Sequence, residues 1–139
     1  MGKYLTFRVA RQDFAMDAAR VRGILPIQEL VAPETLHSWL RGFAALGGRD
    51  FPVVDLRSKL GLAHASGGRQ PCIVVVEVIA ANGRRLAGFI ADRVSDVVQL
   101  RERDVRNGMT RARGRPRRVL DPDQILTEAE LLNVLAANP

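Results

Sequence analysis

The chain is poor in the residues that form disulfides, bind metals or cradle phosphates. Its one cysteine, Cys72, leaves no partner for a disulfide within the chain. Its two histidines, His37 and His64, are not part of a spacing that indicates a metal site. Neither Gly47-Gly48 nor Gly67-Gly68 is followed by the Lys-Ser/Thr pair of a phosphate-binding loop. The sequence therefore predicts no cofactor, no bound metal and no enzymatic activity.

Long apolar runs are also missing. The longest strongly apolar run, Cys72 to Val76, ends at Glu77, far short of the ~20 apolar residues that a membrane helix needs. After Met1 the chain alternates between apolar and polar residues, which is not typical of a signal peptide. We therefore expect a cytoplasmic protein without membrane insertion. Within the apolar run, Cys72 is expected to be a small buried side chain and not a reactive thiol.

Positive charge is confined to one part of the 139 residues. The net charge is +6, and the segment from Arg101 to Arg118, with eight arginines against Glu102 and Asp104, carries all of that excess. Three interpretations stay open for this segment: a solvated hairpin without a partner, a surface for an acidic protein, or a nucleic-acid contact. Nucleic acid is disfavoured because no aromatic residues alternate with the arginines to stack on bases.

The arginines of this segment lie close together in a predicted hairpin. Residues of equal parity share one face of a strand. The hypothesis is a positive surface that faces an acidic partner, and its members are Arg111, Arg113, Arg115, Arg117 and Arg118.

Apolar residues recur with the period of β-strands. Leu5, Phe7 and Val9 alternate with polar residues, which is typical of a half-buried strand. Asn82-Gly83 and Gly47-Gly48 predict hairpin turns, and Ala65 to Gly68 predicts a flexible link. Further strands are expected over Phe14–Met16, Trp39–Ala44, Phe51–Leu56, Cys72–Val78, Leu86–Ala91 and Val94–Leu100. Side chains expected to be buried are Phe7, Val54, Val75 and Ile90.

Carboxylates follow several of these strands, and helix signals occupy the C-terminus. Asp55, Asp92 and Asp121 are expected to accept hydrogen bonds from turn N–H groups and not to act as catalytic acids. Asp17 can cap a short helical turn. At the C-terminus, Asp121-Pro122 and the Thr127/Glu130 capping box predict a short helix.

The two halves of the chain repeat each other. Gly42, Gly48 and Asp55 recur as Gly108, Gly114 and Asp121 with a common offset. The hairpin signals come in the same order in both halves. We therefore expect one domain over residues 1–139, built as a tandem pair of small β-barrels, with the first half at roughly 1–62 and the second at roughly 70–139.

Several motifs, taken in order, resemble the CheW family of chemotaxis coupling proteins. The opening pattern, with Phe14-Ala15-Met16-Asp17 and Val21-Arg22-Gly23-Ile24, is similar to that of the family. So are the central Pro52-Val53-Val54-Asp55-Leu56-Arg57, the element Val94-Ser95-Asp96-Val97-Val98, and the closing Gly114 with Val119-Leu120-Asp121. The resemblance covers nearly the whole chain.

The resemblance implies a fold and a function. The fold is mainly β, with two intertwined five-stranded SH3-like barrels and a short C-terminal helix. The function is that of a non-catalytic adaptor, which binds chemoreceptor cytoplasmic tips and the CheA-like regulatory domain of a histidine kinase. The match to the family's contact regions suggests five partner-binding residues: Val21, Ile24, Leu40, Arg41 and Leu46. The alternative for the four apolar ones is that they belong to the core. From the charged hairpin, Arg113, Arg115 and Arg117 join this set.

The chain departs from the family pattern at three places. Ala45-Leu46-Gly47-Gly48 stands where the family has Asn-Leu-Arg-Gly, and Gly23 stands where an acidic residue is usual. The proline-rich loop that normally follows the Val94–Leu100 strand is missing. Two alternatives to the adaptor therefore stay open: a divergent module of the same fold that serves another signalling complex, and a basic β-barrel that binds nucleic acid.

Overall fold

The chain folds into two curled, five-stranded β-sheets. The structure is a computed structural model that describes residues 2–31, 37–63, 71–81 and 83–136. The strands are β1 (Gly2–Val9), β2 (Gln12–Asp17), β3 (Val21–Pro26), β4 (Leu40–Leu46), β5 (Arg49–Asp55), β6 (Cys72–Ala80), β7 (Gly83–Ala91), β8 (Arg93–Leu100), β9 (Met109–Ala112) and β10 (Arg115–Val119). The helices are α1 (Leu56–Leu60), α2 (Pro122–Ile125) and α3 (Glu128–Ala136), with 3-10 turns at Ala18–Arg20 and Glu102–Asp104.

Each sheet combines a hairpin from one half of the chain with three strands from the other half. Sheet A has the order β8-β1-β2-β10-β9, and sheet B has the order β3-β6-β7-β5-β4. The β1–β2 hairpin thus joins three strands of the second half, and the β6–β7 hairpin joins three strands of the first. This arrangement confirms the prediction of a mainly β chain with two intertwined five-stranded units and a short C-terminal helix.

The repeat seen in the sequence corresponds to equivalent places in the two sheets. The β4–β5 hairpin closes sheet B as the β9–β10 hairpin closes sheet A, and β5 and β10 each run parallel to the second strand of the other half's hairpin. Asp55 and Asp121 then start a helix in the same way, because each carboxylate accepts the N–H two residues further on. The predicted roles of both carboxylates are confirmed.

Local signals at the other helix ends are also confirmed. Asp17 accepts the N–H of Ala19 and starts the first 3-10 turn. Thr127 and Glu130 form the reciprocal capping box at the start of α3.

Helix α1 was not expected, because the predicted strand extends to Leu56. Asn82 and the link at Ala65 to Gly68 lie outside the described residues.

The apolar core has two parts. The larger cluster lies between the sheets and includes Phe7 and Phe14 of sheet A and Phe89 of sheet B. The smaller cluster lies within sheet B alone; its members are Ala44, Phe51, Val53, Ile73, Val75 and Leu86. Cys72 is buried as expected, and burial raises the pKa of its thiol.

Three of the four side chains named from the sequence are buried. Phe7, Val54 and Val75 are at most 1% exposed, which confirms those predictions. The prediction for Ile90 was wrong, because that side chain is only partly buried. Ile90 lies at the end of β7, where it lines a surface hollow beside Pro71 and Arg57.

Gly42 fixes how the segment after β3 returns to β4. The backbone of Val31 bonds to the backbone of Phe43 in both directions, at 3.1 and 3.0 Å. A Cβ on Gly42 would lie 2.5 Å from the carbonyl oxygen of Val31, and the φ of Gly42 is +144°. Only glycine combines that conformation with that close approach. The segment after β3 is therefore held against the edge of sheet B.

Candidate protein-binding surfaces

Five of the predicted site residues lie on β3 and β4, the two edge strands of sheet B. The strands approach each other where the sheet curls, because a Cβ on Gly23 would lie 3.5 Å from Cδ2 of Leu46. That distance is an ordinary van der Waals contact. It places the Leu46 end of β4 beside the middle of β3, whereas Leu40 and Arg41 lie at the other end of β4.

These five residues differ in what they can offer a partner. Leu40 is 4% exposed and belongs to the core between the sheets. Val21 and Leu46 are partly buried and pack against the two core clusters. Ile24 is 47% exposed, and Arg41 projects from β4 with 56% of its side chain exposed. Ile24 and Arg41 are therefore the members that a partner can reach most directly.

Two further aliphatic side chains extend this region. Ile27 and Val31, in the segment that follows β3, are 46% and 56% exposed. With Ile24 and Arg41 they form what we call the edge surface. Neither residue was predicted, because the segment after Pro26 lies outside the strands expected from the sequence. Its apolar residues at 27 and 31 were the available signal.

A shallow hollow of about 220 Å³ adjoins the edge surface. Ile27, Ile90 and Pro71 form its apolar wall. Its charged groups are two pairs: Arg41 lies 3.4 Å from Asp55, and Arg57 donates a hydrogen bond of 2.5 Å to Asp92. The hollow therefore offers an aliphatic contact beside groups that can bond to a charged or polar side chain.

Asp92 at the bottom of this hollow also joins the two sheets. Its second carboxylate oxygen accepts the N–H of Ala10, in the turn between β1 and β2, at 2.7 Å. Arg57 reaches Asp92 from α1 on the side of sheet B. Asp92 is 8% exposed, and the two bonds satisfy a carboxylate that would be costly to bury alone. The expected role of Asp92 as a strand-end acceptor is confirmed.

The arginine hairpin does not present the single face that residue parity suggested. Arg113 and Arg115 are exposed at the end of sheet A, with 61% and 55% of their side chains accessible. Arg117 is 4% exposed, and its Nε donates to the carbonyl of Ala112 inside the sheet. Arg111 is paired across the hairpin with Pro116, on the opposite face from Arg115. Arg118 lines another hollow, next to Lys59 and α2.

The prediction of one positive face was therefore wrong for Arg111, Arg117 and Arg118. The chain reverses at Arg113 and Gly114, so equal parity does not carry over from β9 to β10. Whether Arg113, Arg115 and Arg117 contact a partner stays a prediction, and burial places Arg117 below the surface rather than on it.

Beside this hairpin, the carboxylate of Asp13 has three arginine neighbours. Asp13 lies 3.2 Å from Arg8 Nε, 3.5 Å from Arg115 Nη1 and 3.9 Å from Arg117 Nη1. The Arg8 and Arg117 contacts do not have hydrogen-bond geometry, and those two nitrogens and Asp13 Oδ1 are buried without a hydrogen-bond partner. The cluster therefore carries positive charge that its single carboxylate does not neutralise.

Two features are absent from the described part of the chain. No group of three His, Cys, Asp or Glu side chains stands close enough there to hold a metal ion. Nor does that part include a helix of the length and apolar character that a membrane span requires.

Comparison with known proteins finds one family. A model of the CheW-like domain matches residues 3–130. Curated relatives include the chemotaxis protein CheW of Rhizobium meliloti (strain 1021), 28% identical over 101 residues, and that of Klebsiella aerogenes, 24% identical over 104 residues. These alignments cover 73% and 75% of this chain but 63% and 60% of the relatives, so the chain spans less than two thirds of their length.

A solved structure shares the fold. It is described as the crystal structure of scaffolding protein TtCheW from Thermoanaerobacter tengcongensis, and the superposition has a TM-score of 0.80. It covers 94% of this chain and 92% of that one at 20% sequence identity. With the family model matching nearly the whole length, the resemblance seen in the sequence is confirmed, and the chain belongs to the CheW-like domain family.

Proposed function

We propose that the chain is a cytoplasmic, non-catalytic adaptor that couples chemoreceptors to a histidine kinase in a chemosensory array. The observation that carries the proposal is the family match over residues 3–130, together with relatives named as chemotaxis proteins. The mechanism is binding alone. One molecule holds the regulatory domain of a CheA-like kinase and the cytoplasmic tip of a receptor, so that the state of the receptor biases the kinase.

The edge surface supports this proposal. Ile24, Ile27 and Val31 expose large aliphatic side chains in and just after β3, and exposed apolar side chains that are close together in the chain are typical of protein-binding sites. Arg41 adds a charged group whose ion pair with Asp55 is long and open to solvent, so little is lost when a partner replaces it. Docking on the edge surface would also bring a partner to the adjoining hollow, whose wall includes Ile27 and Arg41.

Binding measurements with two matched pairs of variants test the proposal. Ile24→Ser should weaken binding to the kinase regulatory domain or to the receptor fragment about tenfold, because the contact loses most of one buried isoleucine. Arg41→Glu should weaken the same interaction and leave the melting temperature nearly unchanged. Ile79→Ser and Arg85→Glu are the controls, because both side chains are exposed in the β6–β7 hairpin, beyond the stretch of β6 that pairs with β3.

The outcomes separate the alternatives. Weaker binding in the edge variants with unchanged controls supports the adaptor. Tight binding that none of the four variants alters would assign the interaction to another surface. No binding to either partner by the wild-type chain would favour a module of the same fold in a different signalling complex.

A further inference from the structure

The side chains enclosed by the curl of sheet A, here called its interior, differ in chemistry from those enclosed by the curl of sheet B. The offset between the hairpins places Phe51 at the position of Arg117, and Ala44 at that of Thr110. The registers extend the equivalence. Val119 lies opposite Ala15, which pairs with Thr6, whereas Val53 lies opposite Gly88, which pairs with Val75. By the same registers Asp13 takes the position of Leu86.

Four polar residues of sheet A thus stand where sheet B has its small apolar cluster. Thr6 exchanges hydrogen bonds with the backbone of Asp96 at 3.1 and 3.0 Å, and Thr110 donates to the carbonyl of Asp104. Arg117 and Asp13 are less well satisfied, as the partnerless Arg117 Nη1 and Asp13 Oδ1 show. Burial of a charge is costly unless it is paired. Around Asp13, sheet A therefore holds more guanidinium groups than carboxylates.

The directions of the strands place further arginines at the end of sheet A where Asp13 lies. The turn between β1 and β2 and the turn between β9 and β10 lie at the same end of sheet A, because β2 and β10 run parallel from these turns. Arg93 begins β8 at that end and lies directly opposite Arg8. Like charges in that position disfavour pairing of the two strands. We call this end of sheet A the basic end, formed by Arg8, Arg11, Arg93, Arg113 and Arg115.

Few carboxylates offset this charge. Asp13 is shared by Arg8 and Arg115, and Asp96 lies 3.6 Å from Arg113. Arg11 and Arg93 have no carboxylate partner among the described residues. Uncompensated like charges held together favour association with an anionic partner, which relieves their repulsion.

We propose that the basic end binds an acidic segment of another protein. Asp13 and Asp96 show that carboxylates fit among these guanidinium groups, and the exposed Arg11 and Arg93 can each donate paired hydrogen bonds to a further carboxylate. Base stacking lacks a platform, since the aromatic residues Phe7 and Phe14 of the adjoining strands are buried. Membrane insertion lacks an anchor, since none of the five arginines is next in sequence to one of the large exposed apolar side chains of the described residues.

The experiment compares two variants with equal changes in charge. The first carries Arg11→Asn, Arg113→Asn and Arg115→Ser; asparagine suits positions 11 and 113 because both have positive φ. The control carries Arg49→Ser, Arg84→Ser and Arg85→Ser at the equivalent end of sheet B, where Arg49 corresponds to Arg115. The probes are a fluorescein-labelled oligo-glutamate peptide, a single-stranded oligonucleotide and vesicles that contain phosphatidylserine.

The result expected is specific to one end of the molecule. The first variant should bind oligo-glutamate about tenfold more weakly than wild type at low salt, and the difference should disappear at high salt. The control should bind like wild type. An equal loss in both variants would overturn the proposal, because it would reflect net charge alone. So would tighter binding of the oligonucleotide or the vesicles than of the peptide, lost in the first variant. Neither result depends on kinase or receptor binding, so the adaptor role is tested separately.

Discussion

Arg117 is the residue at which the two equivalent hairpins differ most in chemistry. Its side chain lies in the interior of sheet A, where Phe51 fills the corresponding position of sheet B. One hydrogen bond, from Nε to the carbonyl of Ala112 at 3.1 Å, holds the guanidinium, while Nη1 lacks a partner. Buried charges that are poorly paired contribute little to stability, and apolar residues of similar size often replace them without loss.

We therefore expect Arg117→Met to be tolerated and Arg117→Ala to be destabilising. Methionine fills the same volume without the cost of burying a charge, and Asp13 keeps Arg8 and Arg115 as neighbours. Alanine leaves a cavity, so its free energy of unfolding should be lower by about 2 kcal/mol than that of the methionine variant. Urea denaturation measures both. Equal losses would mean that the guanidinium itself stabilises sheet A.

Some residues of the edge surface could be predicted from the sequence, whereas others of the candidate sites could not. The edge positions Ile24 and Arg41 were found from their place in the family pattern, and both are exposed. Leu40 came from the same pattern but is core, because an apolar residue in a strand can face either way and spacing alone does not decide. Arg8 and Arg93 were missed because their proximity depends on β1 pairing with β8, a long-range contact without a local signal.

At the scale of elements, local signals predicted the starts of helices and the turn at Gly47-Gly48. Asp17, Asp121 and the Thr127/Glu130 box act over two or three residues, so the sequence contains all the partners involved. Helix α1 was missed because its five residues follow a strand directly and leave no room for a helical period. The exchange of strands between halves could only be inferred from the family, because alternation indicates a strand but not its neighbour.

Asp123 ties helix α2 to sheet B and to the first 3-10 turn. One oxygen of its carboxylate accepts hydrogen bonds from Arg20 at 2.6 Å and from the N–H of Ile79 at 2.9 Å. Burial alone would raise the pKa of Asp123, but the hydrogen bonds from Arg20 and Ile79 and the charge of Arg20 outweigh it and hold the pKa below its usual value. The folded state thus favours the ionised carboxylate.

This contact predicts a pH dependence of stability. A carboxyl group whose pKa is lowered by folding stabilises the protein above its unfolded pKa, about 3.9, and this contribution is lost as the pH falls through the lower folded value. Asp123→Asn should therefore lower the free energy of unfolding at neutral pH by about 1–2 kcal/mol, with a smaller deficit below about pH 4. Denaturation at several pH values measures this. A deficit that is the same at every pH would show that the charge of Asp123 does not matter.

At the scale of the whole molecule, the two sheets have the same topology but different side-chain chemistry. Both sheets use the same order of hairpin, edge strand and closing hairpin, yet sheet B has an apolar interior and an aliphatic edge, whereas sheet A has a polar interior and a basic end. Two chemically different surfaces on one rigid pair of sheets suit a protein that holds two partners at once. The sequence predicted this architecture through its repeat and its family pattern, while the division of chemistry between the sheets required the registers.

The most direct test of the adaptor role is sedimentation velocity of the chain mixed with a histidine-kinase regulatory domain and a chemoreceptor cytoplasmic fragment. At about 10 μM of each component, a concentration that populates complexes of micromolar affinity, we predict a species that contains all three. Omission of the chain should leave the kinase domain and the receptor fragment to sediment separately. The adaptor role is contradicted if the chain sediments alone in the presence of both, or if the kinase domain and the receptor fragment compete for it and no ternary species forms.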